Sequence, residues 1–438
     1  MLALCRAHPD VRLESPECLD APPAPRVCSR THSHLEPSPG GRLTDSIPES
    51  LPLESLRVLD LSRVLAGPLC TMVLGDLGAD VIKVERPDGG DDTRRWGPPW
   101  VGTAAASESA YFLCCNRNKR SITADLKSDR GRALIRGLAI EADVFVDNFA
   151  PGTLEAWGLD YPALAEENPG LVACTITGYG VEGPAAGRPG YDFTVQARAG
   201  WMAVTGEREG APMKVGFALA DVLAGQNAAI AILAALRERD RSGRGQWIEV
   251  ALLDSAVAGL VNVAQAALTG HGAARYGNAH PNIVPYQSFD ASDRQLVIAV
   301  GNDAQWRRLC DLLGPEDLAS DERFATNPGR VEHREELVGR LAERIAERPA
   351  AEWIRRLDKA GVPCEMIQTV HEAVEDPALR GRGGIWSMRG DSYGRVETVA
   401  SPLRLQRTPP RPRRGAPALG QHTTEVVEQG WGVEGDGP

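Results

Sequence analysis

No CxxC pair occurs in the chain. The nine cysteines, at 5, 18, 28, 70, 114, 115, 174, 310 and 364, are odd in number and carry no metal-ligand spacing. A disulfide framework and a zinc site are therefore disfavoured, and a reducing, cytoplasmic compartment is the expectation. Most of these thiols sit in apolar runs, Cys174 in LVACTITGYG for example, where a buried free thiol is the default. Lysine is scarce beside arginine, and the formal net charge is −11. That balance argues against a nucleic-acid-binding face, which needs concentrated positive charge. It leaves room for a phosphate ligand, which needs only a few local cations or a helix N-terminus. No run approaches the length of a membrane-spanning helix, so 222–236 and 251–268 read as core helices and no membrane partner is expected. The first residues lack a basic segment followed by an apolar one, and Asp10, Glu14, Glu17 and Asp20 disfavour a mitochondrial presequence. No GxGxxG follows the first strand, whose loop has a single Gly67 before Pro68, and the P-loop, GxSxG and clustered metal ligands are missing as well. The dinucleotide oxidoreductase reading loses its main support with the first of these.

What is present is globular. With 438 residues, 42% hydrophobic and 24% charged, two or three domains are expected. Residues 1–51, rich in Pro, Ser, His and Arg without any period, read as a disordered extension or an upstream start wrongly included. From 52 to 270 strands and helices alternate. Leu56–Leu61 is a short apolar strand, Gly67 and Pro68 open a helix to about Gly78, and Asp80–Glu85 is a second strand. Further strands at 121–126, 143–147, 171–177 and 247–251, with helices at 128–141 and 153–167, predict an α/β fold with a Rossmann-like open parallel sheet. Residues 178–216 hold many glycines and prolines and read as a long irregular segment with a functional purpose. A smaller α/β domain is expected over 271–375, with strands at 295–300 and 363–368 and helices at 303–313, 335–347 and 350–361. Residues 371–410 read as short strands and turns, and 376–438 as a C-terminal segment returning to the large domain.

The chain centres on Pro212–Arg237, PMKVGFALADVLAGQNAAIAILAALR. A small-residue loop leads to one carboxylate, Asp221, at the mouth of a helix that is apolar almost all round and so should be buried. Taken alone, that Asp reads as an N-cap. The second reading is a catalytic carboxylate tuned by a helix end and a dry wall.

Five ordered motifs weigh between them: RVLDLSRVLAGPLCTMVLGDLGADVIKVERPDGGDDTRRWGPP, NRNKRSITADLK, VDNFAPG, GRPGYD, and GFALADVLAG followed by GRGQ. Together with LGQHTTEV near the end, they resemble the class III (CaiB/BaiF-like) CoA-transferases over roughly 52–430. AHPNIVPYQSF and the intact DDTRRWGPP lean toward the succinate–hydroxymethylglutarate type. The resemblance implies an interlocked homodimer of the family's fold, acyl-CoA and carboxylic acid as substrates, and no tightly bound cofactor. It places the nucleophile at Asp221. It also implies CoA contacts at Leu65, Ala66, Arg86, Ala124, Asp125, Leu126, Lys127, Asn148, Phe149 and Ala150, with Arg86 and Lys127 toward phosphate.

The bland readings stand beside these. Arg86 could serve a surface salt bridge with Asp91 or Asp92, and Lys127 could be a helix-start charge. Arg94 and Arg95 are candidates for the free end of a dicarboxylate, since a guanidinium binds carboxylate in bidentate fashion. Tyr191 and Asp192 stand where racemase relatives carry His-Asp. A tyrosine is a poor acid/base near neutrality, which lowers an α-methylacyl-CoA racemase reading. Asp192 could contact substrate or only anchor its loop. His280, in the loop Gly277–Asn282, could donate to an acyl carboxylate or serve its turn. The loop lacks the consecutive glycines of a mobile lid. A non-catalytic CoA-binding protein would keep Arg86 and Lys127 but would not need Asp221.

Overall fold

The computed structural model describes residues 50–103, 106–314 and 316–432, which belong to one compact unit, Ile47–Pro438. The expected extension lies outside the described residues but for its last two.

Six strands form the central sheet: β1 Arg57–Asp60, β2 Asp80–Glu85, β3 Lys119–Thr123, β4 Val144–Asp147, β5 Val172–Thr177 and β6 Trp247–Ala251. All pairings are parallel and the spatial order is β3-β2-β1-β4-β5-β6. This is the doubly wound Rossmann order, with its switch point between β1 and β4. The strands read as apolar runs because both faces are covered. Successive residues alternate between two cores. Val58, Val81, Val144, Val146 and Val172 face one layer, built on helices α1 (Ala66–Asp76) and α4 (Leu219–Ser242). Leu59, Ile82, Ile122 and Phe145 face the other, with Ile135 and Leu138 of α2 (Asp129–Ile140) and, from the chain end, Val426 and Trp431.

Gly- and Pro-rich 178–216 is not wholly irregular: it holds α3 (Asp192–Arg198) and a single helical turn, Trp201–Val204. The second apolar helix is broken in two, α5 (Leu252–Gly259) and α6 (Asn262–Leu268), at Val261, whose φ is +47°. A β-branched residue in that region is strained and interrupts the helical ladder. Helix α4 corrects two expectations. It is long and apolar enough to cross a membrane, yet it is not buried all round: 44% of its most apolar stretch is buried, and Ile230 is exposed. Small residues on one stripe, Ala224, Gly225, Ala228, Ala229 and Ile232, meet the sheet layer, and the opposite stripe faces outward in the single chain.

Residues 284–366 form a separate hydrophobic core around Trp306, Leu309, Leu337, Leu341, Trp353 and Leu357. Its antiparallel sheet joins Tyr286–Asp290, Gln295–Ala299 and Cys364–Met366. The segment read as short strands and turns begins with helices Val370–Glu375 and Pro377–Gly381, before the hairpin Ile385–Gly390 and Gly394–Val399. The end of the chain lies on β3: His422 N–H donates to Ser121 O at 2.9 Å, and Thr423 Oγ1 accepts from Thr123 N–H at 3.0 Å.

Candidate active site

Helix α4 opens without a cap of its own. Ala218 stands at the N-cap and has no side-chain oxygen to offer. The amides of Leu219 through Val222 are satisfied all the same. Leu219 N–H donates to Phe217 O at 2.9 Å and Val222 N–H to Ala218 O at 3.1 Å. Ala220 N–H donates to Asp192 Oδ1 at 2.8 Å, and Asp221 N–H to the same oxygen at 3.4 Å. The cap is therefore Asp192, reaching across from the start of α3. Asp221 lies at the third helical position, past the cap, so the expectation that it caps its own helix is corrected.

The two carboxylates are in opposite states. Asp192 Oδ2 accepts from Gln196 Nε2 at 2.6 Å, so both its oxygens are committed. Gln196 is fully buried; it also donates to Phe217 O at 3.2 Å and accepts from Val215 N–H at 2.9 Å. No donor among the described residues reaches the Asp221 carboxylate. Burial, and then the like charge of Asp192, pushes Asp221 up to about 7. Asp221 is thus the free, basic carboxylate of the pair.

Its neighbours come from the sheet's switch point. One turn beyond Asp221, a Cβ on Gly225 would sit 2.5 Å from the carbonyl oxygen of Ala66, so α4 and the start of α1 touch backbone to backbone. Ala218 packs in one cluster with Val64, Leu65, Met72, Tyr111 and Cys115. Tyr111 was not singled out from the sequence, because nothing periodic marks it. Its hydroxyl is pushed up to about 12, first by burial and next by the charge of Asp221, which places the two in electrostatic reach. Trp96 stands edge-on to the Tyr111 ring at 5.2 Å.

The loop after β1 is held by a buried ionic frame. Lys83 pairs with Asp91 at 2.9 Å, both side chains wholly buried, and donates to Ser62 O at 2.9 Å. Lys119 pairs with Asp60 at 3.0 Å. The Lys83 ammonium holds Asp91 down at about 2, against burial. Val64 has φ +74°, and its N–H points at both Asp91 oxygens at 3.3 Å. The frame over-determines a backbone conformation that valine alone would avoid.

Most expected CoA residues lie at the C-terminal edge of the sheet. Leu65 is the N-cap of α1 and Ala66 its first residue, both buried. Asn148 joins the two sides of the switch point: its Oδ1 accepts from Arg63 N–H at 3.0 Å and its Nδ2 donates to Arg63 O at 2.7 Å. Phe149 stacks edge-on against Trp157 at 5.3 Å, and Ala150 is exposed. Ala124 is buried behind Asp125, Leu126 and Lys127; Asp125 Oδ1 accepts from Lys127 N–H at 3.0 Å, and the Lys127 ammonium is exposed. Arg86 pairs with Asp92 and donates from Nε to Gly90 O at 2.8 Å, so in this state it makes the bland salt bridge. Arg63, which sequence reading passed over, stands 3.6 Å from the same Asp92.

The dicarboxylate candidates separate. Arg94 is buried, forks onto Glu85 (Nε to Oε2 and Nη2 to Oε1, each 2.7 Å), pairs with Glu108, donates to Pro417 O and lies 3.6 Å over the Phe112 ring. Its donors are spent inside the fold, which removes it as a substrate-binding residue. Arg95 is exposed and, among the described residues, bonds Asp88 O alone, at 3.3 Å. Tyr191 is exposed at the N-cap of α3. His280 Nδ1 accepts from Asn282 N–H at 3.1 Å, a role within its own turn. Arg334 grips the carbonyls of His280 and Pro281 at 2.9 and 2.7 Å, tying that loop down.

Comparison with known proteins gives this geometry a family. The model of CoA-transferase family III matches residues 53–423. The succinate–glutarate CoA-transferase of Agrobacterium fabrum is 43% identical over 390 residues, covering 88% of this chain and 98% of its own. Human succinyl-CoA:glutarate CoA-transferase is 40% identical over 390 residues, 89% of this chain and 88% of its own. The crystal structure of a CAIB/BAIF family protein from Brucella suis superposes with a TM-score of 0.78 at 44% identity, over 86% of this chain and 99% of that one. This chain belongs to CoA-transferase family III.

Proposed function

We propose that the protein moves CoA from succinyl-CoA, or another dicarboxylyl-CoA, to a carboxylic acid, with Asp221 as the covalent carrier. The observation that carries this reading is the uncommitted Asp221 carboxylate at the head of α4, beside the switch-point loop. Its carboxylate attacks the thioester carbonyl, giving a mixed anhydride and releasing CoA thiolate. The thiolate then attacks the aspartyl carbonyl, the first acid leaves as carboxylate, and an aspartyl-CoA thioester remains. An acceptor carboxylate attacks that thioester, a second anhydride forms, and thiolate returns to the new acyl carbonyl. Asp221 is regenerated, and no proton, metal or redox step is required. Each intermediate is open to hydrolysis, so the apolar wall of buried Leu65 and partly buried Ala218 and Tyr111 serves to exclude water.

Arg86, Lys127 and Arg63 are the exposed cations at the sheet edge suited to the phosphates of CoA, Arg86 by exchanging Asp92 for phosphate. The choice of dicarboxylates follows the relatives. Two are named for succinate or succinyl-CoA with glutarate, and one from Haloarcula hispanica, 37% identical over 86% of this chain and 96% of its own, for succinyl-CoA and mesaconate. Exposed Ile230 on α4, Val257 on α5, Val261 between α5 and α6, and Leu268 on α6 support a homodimer, since exposed apolar side chains of this kind call for cover.

The test is incubation with succinyl-CoA and a panel of acids, glutarate first, with protein mass recorded before and after hydroxylamine. A CoA adduct that hydroxylamine removes, and that is lost in Asp221→Asn, is the expected result. Exchange of the α-hydrogen for deuterium without any adduct would overturn the reading in favour of racemisation.

A further inference from the structure

We infer that Asp192 is a positioning residue whose task is to cap α4 in place of Asp221 and so leave the Asp221 carboxylate free to react. This rests on the reading of Asp221 as the nucleophile. The argument begins from what a carboxylate at the third position of a helix ordinarily does. It lies over unsatisfied first-turn amides, accepts from them, and loses basicity to the partial positive charge of the helix end. Such a carboxylate is a poor nucleophile, because its lone pairs are engaged and its pKa is low.

Here the amides of Leu219 through Val222 each have another acceptor. Phe217 O and Ala218 O take the amides of Leu219 and Val222, and Asp192 Oδ1 takes those of Ala220 and Asp221. Ala218 at the N-cap makes the device necessary, since a Ser, Thr or Asp there would cap locally. Asp192 is fixed for the purpose. It is the first residue of α3, and its second oxygen is held by Gln196, one turn along the same helix. Gln196 is buried and fixed in turn by the backbone on both sides of the loop leading into α4, at Val215 and Phe217. The chain that delivers Asp221 is thus stapled to α3 at four backbone points: Val215, Phe217, Ala220 and Asp221.

The second effect is electrostatic and has the same sign. The Asp192 charge offsets the helix end and opposes ionisation of Asp221. Tyr111 also lies in electrostatic reach of Asp221, and it adds to rather than relieves negative charge when it ionises. A carboxylate kept basic and unbonded is the form that attacks a thioester.

The experiment is single-turnover formation of the aspartyl-CoA adduct from succinyl-CoA, followed by mass across pH 5 to 9, in full-length wild-type, Asp192→Asn, Asp192→Glu and Asp221→Asn proteins. Asparagine keeps an oxygen for the amides but removes the charge. Its acid limb is expected to fall by at least about half a pH unit, with a plateau rate about 10- to 100-fold lower. Glutamate restores the limb toward wild type. An unmoved limb in Asp192→Asn, or a change confined to the KM for succinyl-CoA, overturns the inference. If the asparagine variant does not fold, the wild-type profile decides: a rate flat from pH 5 upward, as an ordinary carboxylate with a limb near about 4 would give, overturns the inference and a limb near neutrality supports it. An adduct that persists in Asp221→Asn refutes the nucleophile itself, a result distinct from either.

Discussion

Gly225 and the carbonyl of Ala66 define how α4 meets α1: an ideal Cβ on Gly225 would lie 2.5 Å from that oxygen. Only a residue without a side chain lets the two helices close at this point, one turn from Asp221 and at the first residue of α1. Gly225→Ala must push the helices apart, since the obstacle is backbone. The expected cost is about 1–3 kcal/mol of stability together with a fall in kcat larger than the change in KM. Urea unfolding and steady-state kinetics on the same protein check this; an unaltered kcat would show that the contact does not position Asp221.

The stability of Asp221→Asn should vary with pH in a defined direction. Asp221 has its folded-state value raised from 3.8 to about 7. A raised acid favours the fold fully below the unfolded value and loses that contribution as pH rises through the folded one. Wild type therefore loses stability between about pH 4 and 7, and asparagine removes the loss. Above pH 7 the inactive variant should be more stable by on the order of 1–2 kcal/mol, after discounting for partial solvent access. Below pH 4 the two should converge. Thermal melts at pH 4 and pH 8 measure it. Adduct formation in wild type should itself fall as pH drops below about 7, because only the ionised carboxylate attacks.

Breaking the Lys83–Asp91 pair should be severe. Both side chains are wholly buried at 2.9 Å, and Lys83→Met strands Asp91 without its ammonium beneath a strained Val64. A loss of about 3–5 kcal/mol is expected. Asp91 is held at about 2, so the pair's contribution is intact above the unfolded value and disappears only as pH falls toward 2. Denaturant midpoints at pH 7 and pH 3 test both statements.

Arg94 and Lys127 should fail in different ways. Arg94→Lys loses the fork onto Glu85 and the contact with Phe112, so it should lower the melting temperature and leave the KM for glutarate nearly unchanged in whatever protein folds. Lys127→Gln should leave stability within about 0.5 kcal/mol and raise the KM for succinyl-CoA several-fold. A selective rise in the KM for glutarate in Arg94→Lys would return that residue to the substrate site.

The strands of the large sheet were legible because a parallel strand covered on both faces is an apolar run, and turn residues bound it. Asp221 was legible as the proposed nucleophile only through the ordered motifs around it, because a lone carboxylate ahead of an Ala/Leu/Ile helix reads by itself as a cap. Arg94 was misjudged because DDTRRW looks the same whether an arginine faces solvent or Glu85. Its partners, Glu85, Glu108 and Pro417, arrive from three separate segments. Tyr111 carried no signal at all, being one aromatic in an aperiodic stretch. The cap was misplaced for a related reason. Sequence spacing shows which residues could cap a helix locally, whereas Asp192 does so from 28 positions upstream.

The sequence by itself therefore determined the alternation of strands and helices and the family, and it singled out Asp221 as the proposed carrier, all of which rest on local pattern. Tertiary structure alone decided which of two carboxylates is free. The first-turn amides of α4 can be satisfied by either, and only the docking of α3 and Gln196 against that turn assigns them to Asp192, leaving Asp221 half-buried, unbonded and basic.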